Sequence, residues 1–388
     1  MKKKNILFIV DLPNWAFDNM VRAMIPALQA YYNVYIDYSY LFRIRKIEKV
    51  SFRIFLQQNI KSALRLIFSF FFRNNISPLG FISKSRTVIR YYTPSWLKQV
   101  ADESFLFQRE VKPYSFSYDA IFEMDYFYQY ASMLPYKAKK KAVGIYTEGF
   151  PHNGINYDFK RRREVDTLSI ESFFNEYIRH YDCLVVGSKG LEDQYDKFGK
   201  KTFFLNAVFK ENAFKVWTDA SKFFNKQLVI GWTGNPKRGF KGFEDIILPA
   251  IKLVKDSGRD IVLKTQFSGT YDSLIDFYTD VALVVIASEA DTGPFMFSEA
   301  SLSGIPAIST KVGFPRMVIQ DGKNGIIVKE RTVRYFVESI CKLFDDRELL
   351  FSMAERIRGD YLKILGNDVL VDNWKNAIEF MIHNPRPK

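Results

Sequence analysis

Residues 283 to 328 alternate short apolar runs with polar turns, and this alternation limits the folds that the chain can adopt. Leu283–Ala287 is an apolar run typical of a strand buried on both faces of a parallel sheet. Asp291–Pro294 supplies an acidic residue, a glycine, and a proline suited to the first helical position. We expect a helix over Phe295–Leu302 that ends at Gly304, with the next strand starting at Ala307–Ser309. The segment therefore predicts a strand–helix–strand unit of a parallel α/β sheet.

The same segment has the features of a phosphate site. A strand that leads through a glycine-containing turn into a helix presents free backbone N–H groups and the positive end of the helix dipole. Glu299 lies about one turn inside that helix, where its carboxylate could accept hydrogen bonds from both hydroxyls of a ribose. Because such ligands bind at the carboxyl ends of parallel strands, the segment predicts a nucleotide diphosphate site at that edge.

Three groups of residues extend this pattern in order along the chain. They are Leu205–Val208 followed by Phe214; Ile230–Pro236 followed by Lys241-Gly242-Phe243; and Asp291 followed, after seven residues, by Glu299-Ala300, Gly304-Ile305-Pro306, Gly313 and Asp321–Gly325. Together these residues resemble the signature of the family 4 glycosyltransferases, which have the two-domain GT-B fold. One Gly-x-Pro or D-G-x-x-G step alone is only a turn signal, and Lys241 or Glu299 alone would be a solvated side chain. The resemblance therefore depends on the joint order of the motifs.

The resemblance implies transfer of a sugar, with retention at its anomeric carbon, from a nucleotide diphosphate donor to a saccharide or lipid-linked acceptor in glycan or polysaccharide synthesis. It implies no metal ion and no cofactor besides the nucleotide-sugar substrate, because cationic side chains and a helix N-terminus would stabilise the departing diphosphate. Trp232 or Pro236 would border the base. The implied donor-binding residues are Gly234, Asn235, Lys237, Arg238, Lys241, Thr292, Gly293, Pro294, Phe295 and Glu299.

Further roles follow from the same resemblance. Asp291 would act as a catalytic residue that contacts the transferred sugar, where the family usually has Glu, and Glu289 two residues earlier is the alternative. The family often has a His in a loop after a middle strand of the first domain, and the corresponding loop here offers Glu148 or His152 as the catalytic group. The loop after the first strand lacks the family's glycine pair. The acceptor-side residues in that loop are Asn14 and Trp15.

Three other functions are compatible with parts of the sequence. A GT-B-fold nucleotide-sugar epimerase would use the same donor site but would need no second acceptor. A non-catalytic glycan-binding protein with a decayed donor site would explain Asp291 in place of Glu. A nucleic-acid-binding protein would explain the basic residues described below but not the donor motifs, and we expect no nucleic acid as partner.

Composition indicates a globular protein of two domains. The chain has 388 residues, of which 47% are hydrophobic and 26% charged. We expect an acceptor-side Rossmann-like domain over residues 1–210 and a nucleotide-sugar-binding one over 222–367, with a helix from about 368 to 388 packing back on the first. Two cysteines and three histidines, without a Cys/His cluster, favour a reducing cytoplasm and disfavour a zinc site. The apolar run after the first residues is too short for a signal peptide, and no run reaches membrane-spanning length.

Residues 41–100 carry most of the net charge of +13. They contain twelve Lys or Arg residues and one acidic residue, Glu48, which gives +11, and aromatic residues are interleaved among them. Such an insert in the first domain could lie on an anionic membrane surface, which would make the protein peripheral on the inner face of the membrane. It could instead bind an anionic acceptor chain or nucleic acid, or form a helical subdomain with solvated charges.

We predict that the protein sediments with vesicles containing anionic lipid and is released as salt rises, because the Debye length shrinks from about 10 Å at 0.1 M to about 3 Å at 1 M. Neutralising Arg43, Arg45, Lys46 and Lys49 together should weaken this association and leave nucleotide-sugar binding intact, since the donor site lies in the other domain. Sedimentation with anionic and neutral vesicles at low and high salt measures the association with membranes. Equal recovery in the supernatant under all four conditions would exclude the membrane surface as partner.

Overall fold

The computed structural model describes most of the chain outside residues 41–100. The described ranges are 3–11, 16–38, 117–124, 136–146, 168–217, 219–267 and 273–383, with the backbone alone at 47–49, 87–89, 157–158, 163–164 and 271–272. At those backbone-only positions, residues 47–49 pair with 87–89 and residues 157–158 pair with 163–164, both antiparallel.

The first half of the described chain forms a parallel sheet of six strands. The strands are β1 (Lys4–Val10), β2 (Tyr32–Tyr38), β3 (Ser117–Glu123), β4 (Lys137–Ile145), β5 (Cys183–Val186) and β6 (Thr202–Phe204). Their spatial order is β6-β5-β4-β3-β1-β2. The apolar runs of β1 and β5 are buried, as expected for strands covered on both faces.

The second half forms a parallel sheet of five strands. The strands are β7 (Leu228–Thr233), β8 (Ile261–Gln266), β9 (Leu283–Ile286), β10 (Ala307–Ser309) and β11 (Ile326–Ile327). Their order is β8-β7-β9-β10-β11, so the chain leaves β7 toward one side and then crosses to the other side to form β9. Between β7 and β9 the order of the strands reverses, and ligands of open α/β sheets bind at such a point.

Helices cover both sheets. They are α1 (Ala16–Leu28), α2 (Ile170–Phe173), α3 (Lys189–Asp196), α4 (Ser221–Phe224), α5 (Leu248–Asp256), α6 (Tyr271–Phe277), α7 (Phe295–Leu302), α8 (Gly313–Val318), α9 (Val333–Asp345), α10 (Arg347–Leu365) and α11 (Asn367–His383). The sequence predicts one helix from Gly242 to Ser257, and residues 243–256 are helical. Gly242 itself has φ +71°, a left-handed conformation, and the helix begins with a π-helical turn over Phe243–Ile247 that continues into α5.

The last helix returns to the first sheet. Trp374 of α11 is fully buried there, with its ring 5.4 Å from that of Phe8. Its indole N–H donates to the carbonyl of Asn206 at 3.0 Å, which satisfies the polar atom that burial would otherwise leave without a partner. Asn367, at the start of α11, accepts from the backbone N–H of Phe209 at 3.0 Å. These bonds attach the helix to the segment that connects the two sheets.

The two sheets face each other through their carboxyl ends. Thr292, in the loop after β9, donates its hydroxyl to the carbonyl of Tyr146 at the end of β4. Arg316 of α8 pairs with Asp193 of α3 at 2.8 Å. These contacts put the loops after the strands of the second sheet against the first sheet. Within the described ranges, no helix is long and apolar enough to cross a membrane.

Candidate functional site

The carboxyl ends of β7, β8 and β9 surround a cavity of about 260 Å³ at the point where the strand order reverses. The lining residues are Trp232, Thr233, Gly234, Lys241, Gln266, Phe267, Leu274, Ile286, Ser288, Pro294, Phe295, Met296 and Glu299. Five of the predicted donor-binding residues are therefore brought together: Gly234, Lys241, Pro294, Phe295 and Glu299.

The turn after β7 brings Lys241 to the cavity. Residues Gly239–Lys241 form a 3₁₀ turn that ends at Gly242. A Cβ atom added to Gly242 would lie 2.5 Å from the carbonyl oxygen of Ala287, so only glycine permits this close approach to the end of β9. Arg331 donates to the same carbonyl at 2.9 Å. The backbone on either side of Lys241 is thus fixed against the strand that leads to the other half of the site.

Lys241 forms an ion pair with Asp291. The distance between Lys241 Nζ and Asp291 Oδ2 is 2.6 Å, and the two side chains are 22% and 13% exposed. Ser288 Oγ lies 3.4 Å from the same carboxylate oxygen, and the N–H of Gly293 donates to the other oxygen at 3.3 Å. Lys241, which is predicted to bind the diphosphate, and Asp291, which is predicted to contact the sugar, are therefore in contact at the edge of the cavity.

Glu299 lies in the second turn of α7 and is 6% exposed. The hydroxyl of Tyr278 donates to Glu299 Oε2 at 2.8 Å. Burial raises the pKa of the Glu299 carboxyl, and the hydrogen bond from Tyr278 opposes that rise. No described residue donates a hydrogen bond to Oε1, and the side chain lines the cavity, so this oxygen can accept from a ligand.

The first turn of α7 has no side-chain cap. Pro294 occupies the N-cap position and offers no side-chain acceptor, so the first N–H groups of the helix are not satisfied by a cap. Pro294 and Phe295 line the cavity. This helix end therefore presents backbone donors and the positive end of a dipole to the cavity that Lys241 also lines.

Other predicted residues lie elsewhere. Asn235, Lys237 and Arg238 are exposed and do not line the cavity. The side chain of Asn235 accepts from the backbone N–H of Lys237 at 3.0 Å, which shapes the turn after β7. Glu289 is exposed, and its backbone N–H donates to the carbonyl of Phe240 at 2.8 Å. Its side chain does not line the cavity.

Thr292 and Gly293 face the other domain and α8. Besides the contact of Thr292 with Tyr146, a Cβ atom added to Gly293 would lie 2.5 Å from the ring of Phe314. The predicted residues Asn14, Trp15, Glu148 and His152 lie outside the described residues.

The structure adds Phe267, which the sequence pattern did not single out. It follows β8 directly, is 51% exposed, and packs edge-on against Trp232 at 6.0 Å and Phe243 at 5.5 Å. Trp232 itself is 1% exposed, so Phe267 offers the open aromatic surface of this cluster. The sequence signal for Phe267 is an aromatic residue at the carboxyl end of a strand, next to the point where the strand order reverses. Recognising this signal requires knowing that β8 lies next to β7 in the sheet.

Comparison with known proteins finds matches to parts of the chain. Residues 258–360 match the family model for glycosyl transferases group 1. A D-inositol 3-phosphate glycosyltransferase of Catenulispora acidiphila is 26% identical over 121 residues, which are 31% of this chain and 28% of that protein. An N-acetyl-alpha-D-glucosaminyl L-malate synthase of Bacillus anthracis is 25% identical over 112 residues, 29% of each chain. The matched parts are thus less than a third of these relatives.

Solved structures resemble the whole chain. A glycosyltransferase from Rickettsia africae superposes with a TM-score of 0.60 at 11% identity, covering 99% of this chain and 100% of that one. Anabaena HepE in complex with UDP gives a TM-score of 0.57 at 12% identity, covering 97% and 99%. At these identities the likeness concerns the fold. The predicted GT-B fold, with two Rossmann-like parallel-sheet domains, is confirmed.

Proposed function

We propose that the chain is a retaining glycosyltransferase of family 4, which moves a sugar from a nucleotide diphosphate donor to a saccharide or lipid-linked acceptor in glycan synthesis. The observation that carries the proposal is the cavity beside β7, where Lys241 and Glu299 line one space and Asp291 adjoins it. The match to the glycosyl transferases group 1 model over residues 258–360 supports it. UDP is the first nucleotide to consider, because the structurally similar HepE was solved in complex with it.

In this proposal the donor diphosphate lies between Lys241 and the N-terminus of α7. Breaking the bond to the sugar leaves negative charge on the diphosphate, and a cation with oriented backbone donors stabilises that charge in a partly dry site. Lys241 and the α7 N–H groups supply this stabilisation without a metal ion. Lys237 or Arg238, which are exposed on the turn after β7, would add a second cation when the donor is bound.

The nucleoside occupies the rest of the cavity. Glu299 accepts hydrogen bonds from the ribose hydroxyls through its open oxygen, and Asp291 contacts the transferred sugar. Phe267 offers its half-exposed ring to the base, since every base has a face that can stack on an aromatic side chain.

The first domain, residues 1–210, contributes the acceptor side and faces the donor domain, residues 222–367. Thr292 bonds to the carbonyl of Tyr146, and Glu148 follows Tyr146 by only two residues in the chain. Glu148 or His152 is the group that we propose near the reacting carbon, with Asn14 and Trp15 toward the acceptor. Closure of the two domains would complete the site and exclude water. The membrane association expected from residues 41–100 belongs to the same proposal, for a protein acting at the inner face of the membrane.

A panel of UDP-, GDP-, ADP- and TDP-sugars tests the proposal by thermal shift. A ligand at one hundred times its dissociation constant stabilises the folded protein by about 2.7 kcal/mol, so one nucleotide should raise the melting temperature clearly. No shift with any of the four would contradict a nucleotide-sugar enzyme. Conversion of the bound donor to its epimer without an acceptor would favour the epimerase over the transferase.

Lys241→Ala should weaken binding of the preferred nucleoside diphosphate by about ten- to hundredfold, because the diphosphate loses a charge-assisted hydrogen bond worth about 1.5–3 kcal/mol. Isothermal titration calorimetry measures the change. Lys252→Ala, which removes an exposed lysine of α5 in the same domain, is the matched control and should bind normally. Affinity equal to that of the control would remove Lys241 from the diphosphate site.

Substitutions of the two acidic residues, Glu299 and Asp291, should have different effects on binding and turnover. Glu299→Gln keeps the size of the side chain and removes its charge, so both nucleotide and donor should bind more weakly. Asp291→Asn should mainly lower turnover, and UDP should bind no more weakly than to the unaltered protein, because Lys241 is then released from its ion pair. Steady-state kinetics and calorimetry separate the two effects. Identical behaviour of the two variants, or a Glu289→Gln variant that copies Asp291→Asn, would show that the roles are assigned wrongly.

A further inference from the structure

Tyr278 lies behind the cavity and contacts Glu299 from inside the domain. It is 2% exposed and follows α6 directly. Its hydroxyl donates to Glu299 Oε2 at 2.8 Å, and the Glu299 side chain lines the cavity. A carboxylate on a flexible side chain has several rotamers, and a hydrogen bond to one oxygen restricts which way the other oxygen points.

The position of Tyr278 is itself well fixed. Lys222, which is largely buried, lies 3.4 Å from the carbonyl of Tyr278 and 3.4 Å from that of Thr279. Lys264 donates to the carbonyl of Phe277 at 2.9 Å. The ring of Tyr278 packs edge-on against those of Phe277 and Phe214, at 5.0 and 6.2 Å. Backbone and ring are therefore held from several sides, so the hydroxyl is a fixed donor for the carboxylate.

We infer that Tyr278 is a positioning residue that orients Glu299 toward the ribose and thereby makes the site select ribonucleoside over 2′-deoxyribonucleoside diphosphates. The inference rests on the proposed function, because Glu299 must first be the ribose ligand. Tyr278 does not touch the nucleotide; it acts through Glu299. A site built to pair with a hydroxyl rejects an analogue that lacks it, because its own polar group is then left without a partner.

The hydrogen bond also controls the charge of Glu299. Burial and the nearby charge of Glu299 raise the pKa of Tyr278 well above its usual value, whereas a hydrogen bond from Thr233 opposes that rise, so the tyrosine stays a neutral donor. Burial already raises the pKa of Glu299, and Tyr278 counteracts this by stabilising the charged form. Removing the hydroxyl must therefore raise the pKa of Glu299 further. The carboxylate would then be neutral over a wider range at low pH.

Other charged groups around α7 are directed elsewhere. Across the cavity, Lys241 is paired with Asp291. From α10, Arg358 donates to the carbonyl of Leu302 at the far end of α7, and Arg316 of α8 pairs with Asp193. Among the described residues, Tyr278 is therefore the side chain that acts directly on the Glu299 carboxylate.

The test compares UDP with 2′-deoxy-UDP as probes, by calorimetry, in the unaltered protein, Tyr278→Phe and the control Tyr361→Phe. Tyr361 is another buried tyrosine of the same domain, whose ring packs near Phe297. The unaltered protein and the control should prefer UDP by about tenfold or more. In Tyr278→Phe this preference should fall below about threefold at low pH and recover in part as the pH is raised, because Glu299 then regains its charge.

The ratio of the affinities for UDP and 2′-deoxy-UDP distinguishes a positioning role of Tyr278 from a purely structural role. A purely structural role would weaken both probes equally and leave the ratio of their affinities unchanged, so a full preference for UDP in Tyr278→Phe at every pH would overturn the inference. If Tyr278→Phe does not fold, the unaltered protein still tests the inference, because equal affinity for UDP and 2′-deoxy-UDP in that protein would overturn it. Failure of the unaltered protein to bind any nucleoside diphosphate would instead overturn the proposed function.

Discussion

The ion pair between Lys241 and Asp291 joins the two loops on which the site depends. One loop follows β7 and the other follows β9, the strands between which the order of the sheet reverses. Gly242, next to Lys241, adopts a left-handed conformation against the carbonyl of Ala287. Asp291 lies in the loop after β9, and the residue that follows it, Thr292, contacts the first domain. A single electrostatic contact thus links the turn after β7, the start of α7 and the opposite sheet.

The pair also gives Lys241 a counter-charge at the edge of the cavity. A partly buried lysine without a partner would lose hydration and gain nothing in return. Asp291 supplies a counter-charge at 2.6 Å, and its own lone pairs accept further hydrogen bonds from the loop. A diphosphate that approaches Lys241 therefore competes with this carboxylate. Asp291 reaches Lys241 from the loop that follows β9.

The local parts of the fold were predictable from sequence. Residues 295–302 form a helix with the predicted bounds, because Pro294 and Gly304 mark both ends by short-range rules. The strand from Leu283 was predicted for a similar reason, since its apolar run has no other stable environment. By contrast, the apolar pattern predicts β4 only from Lys141, whereas the strand begins at Lys137, because its first residues are mostly lysines and form no apolar run.

The contacts that shape the site were not predictable, since they join residues distant in the chain. Tyr278 and Glu299 are 21 residues apart, and Lys241 and Asp291 are 50 apart. No sequence spacing predicts either contact. Each forms because β7 and β9 are neighbours in the sheet and α6 packs behind them. The sequence predicts a ligand role for Glu299 from its place in a helix, but the hydrogen bond that its carboxylate accepts comes from Tyr278, which lies after another helix. Motif spacing therefore predicts which residues line a site of this kind, whereas the charge and orientation of each group depend on the packing of the elements behind it.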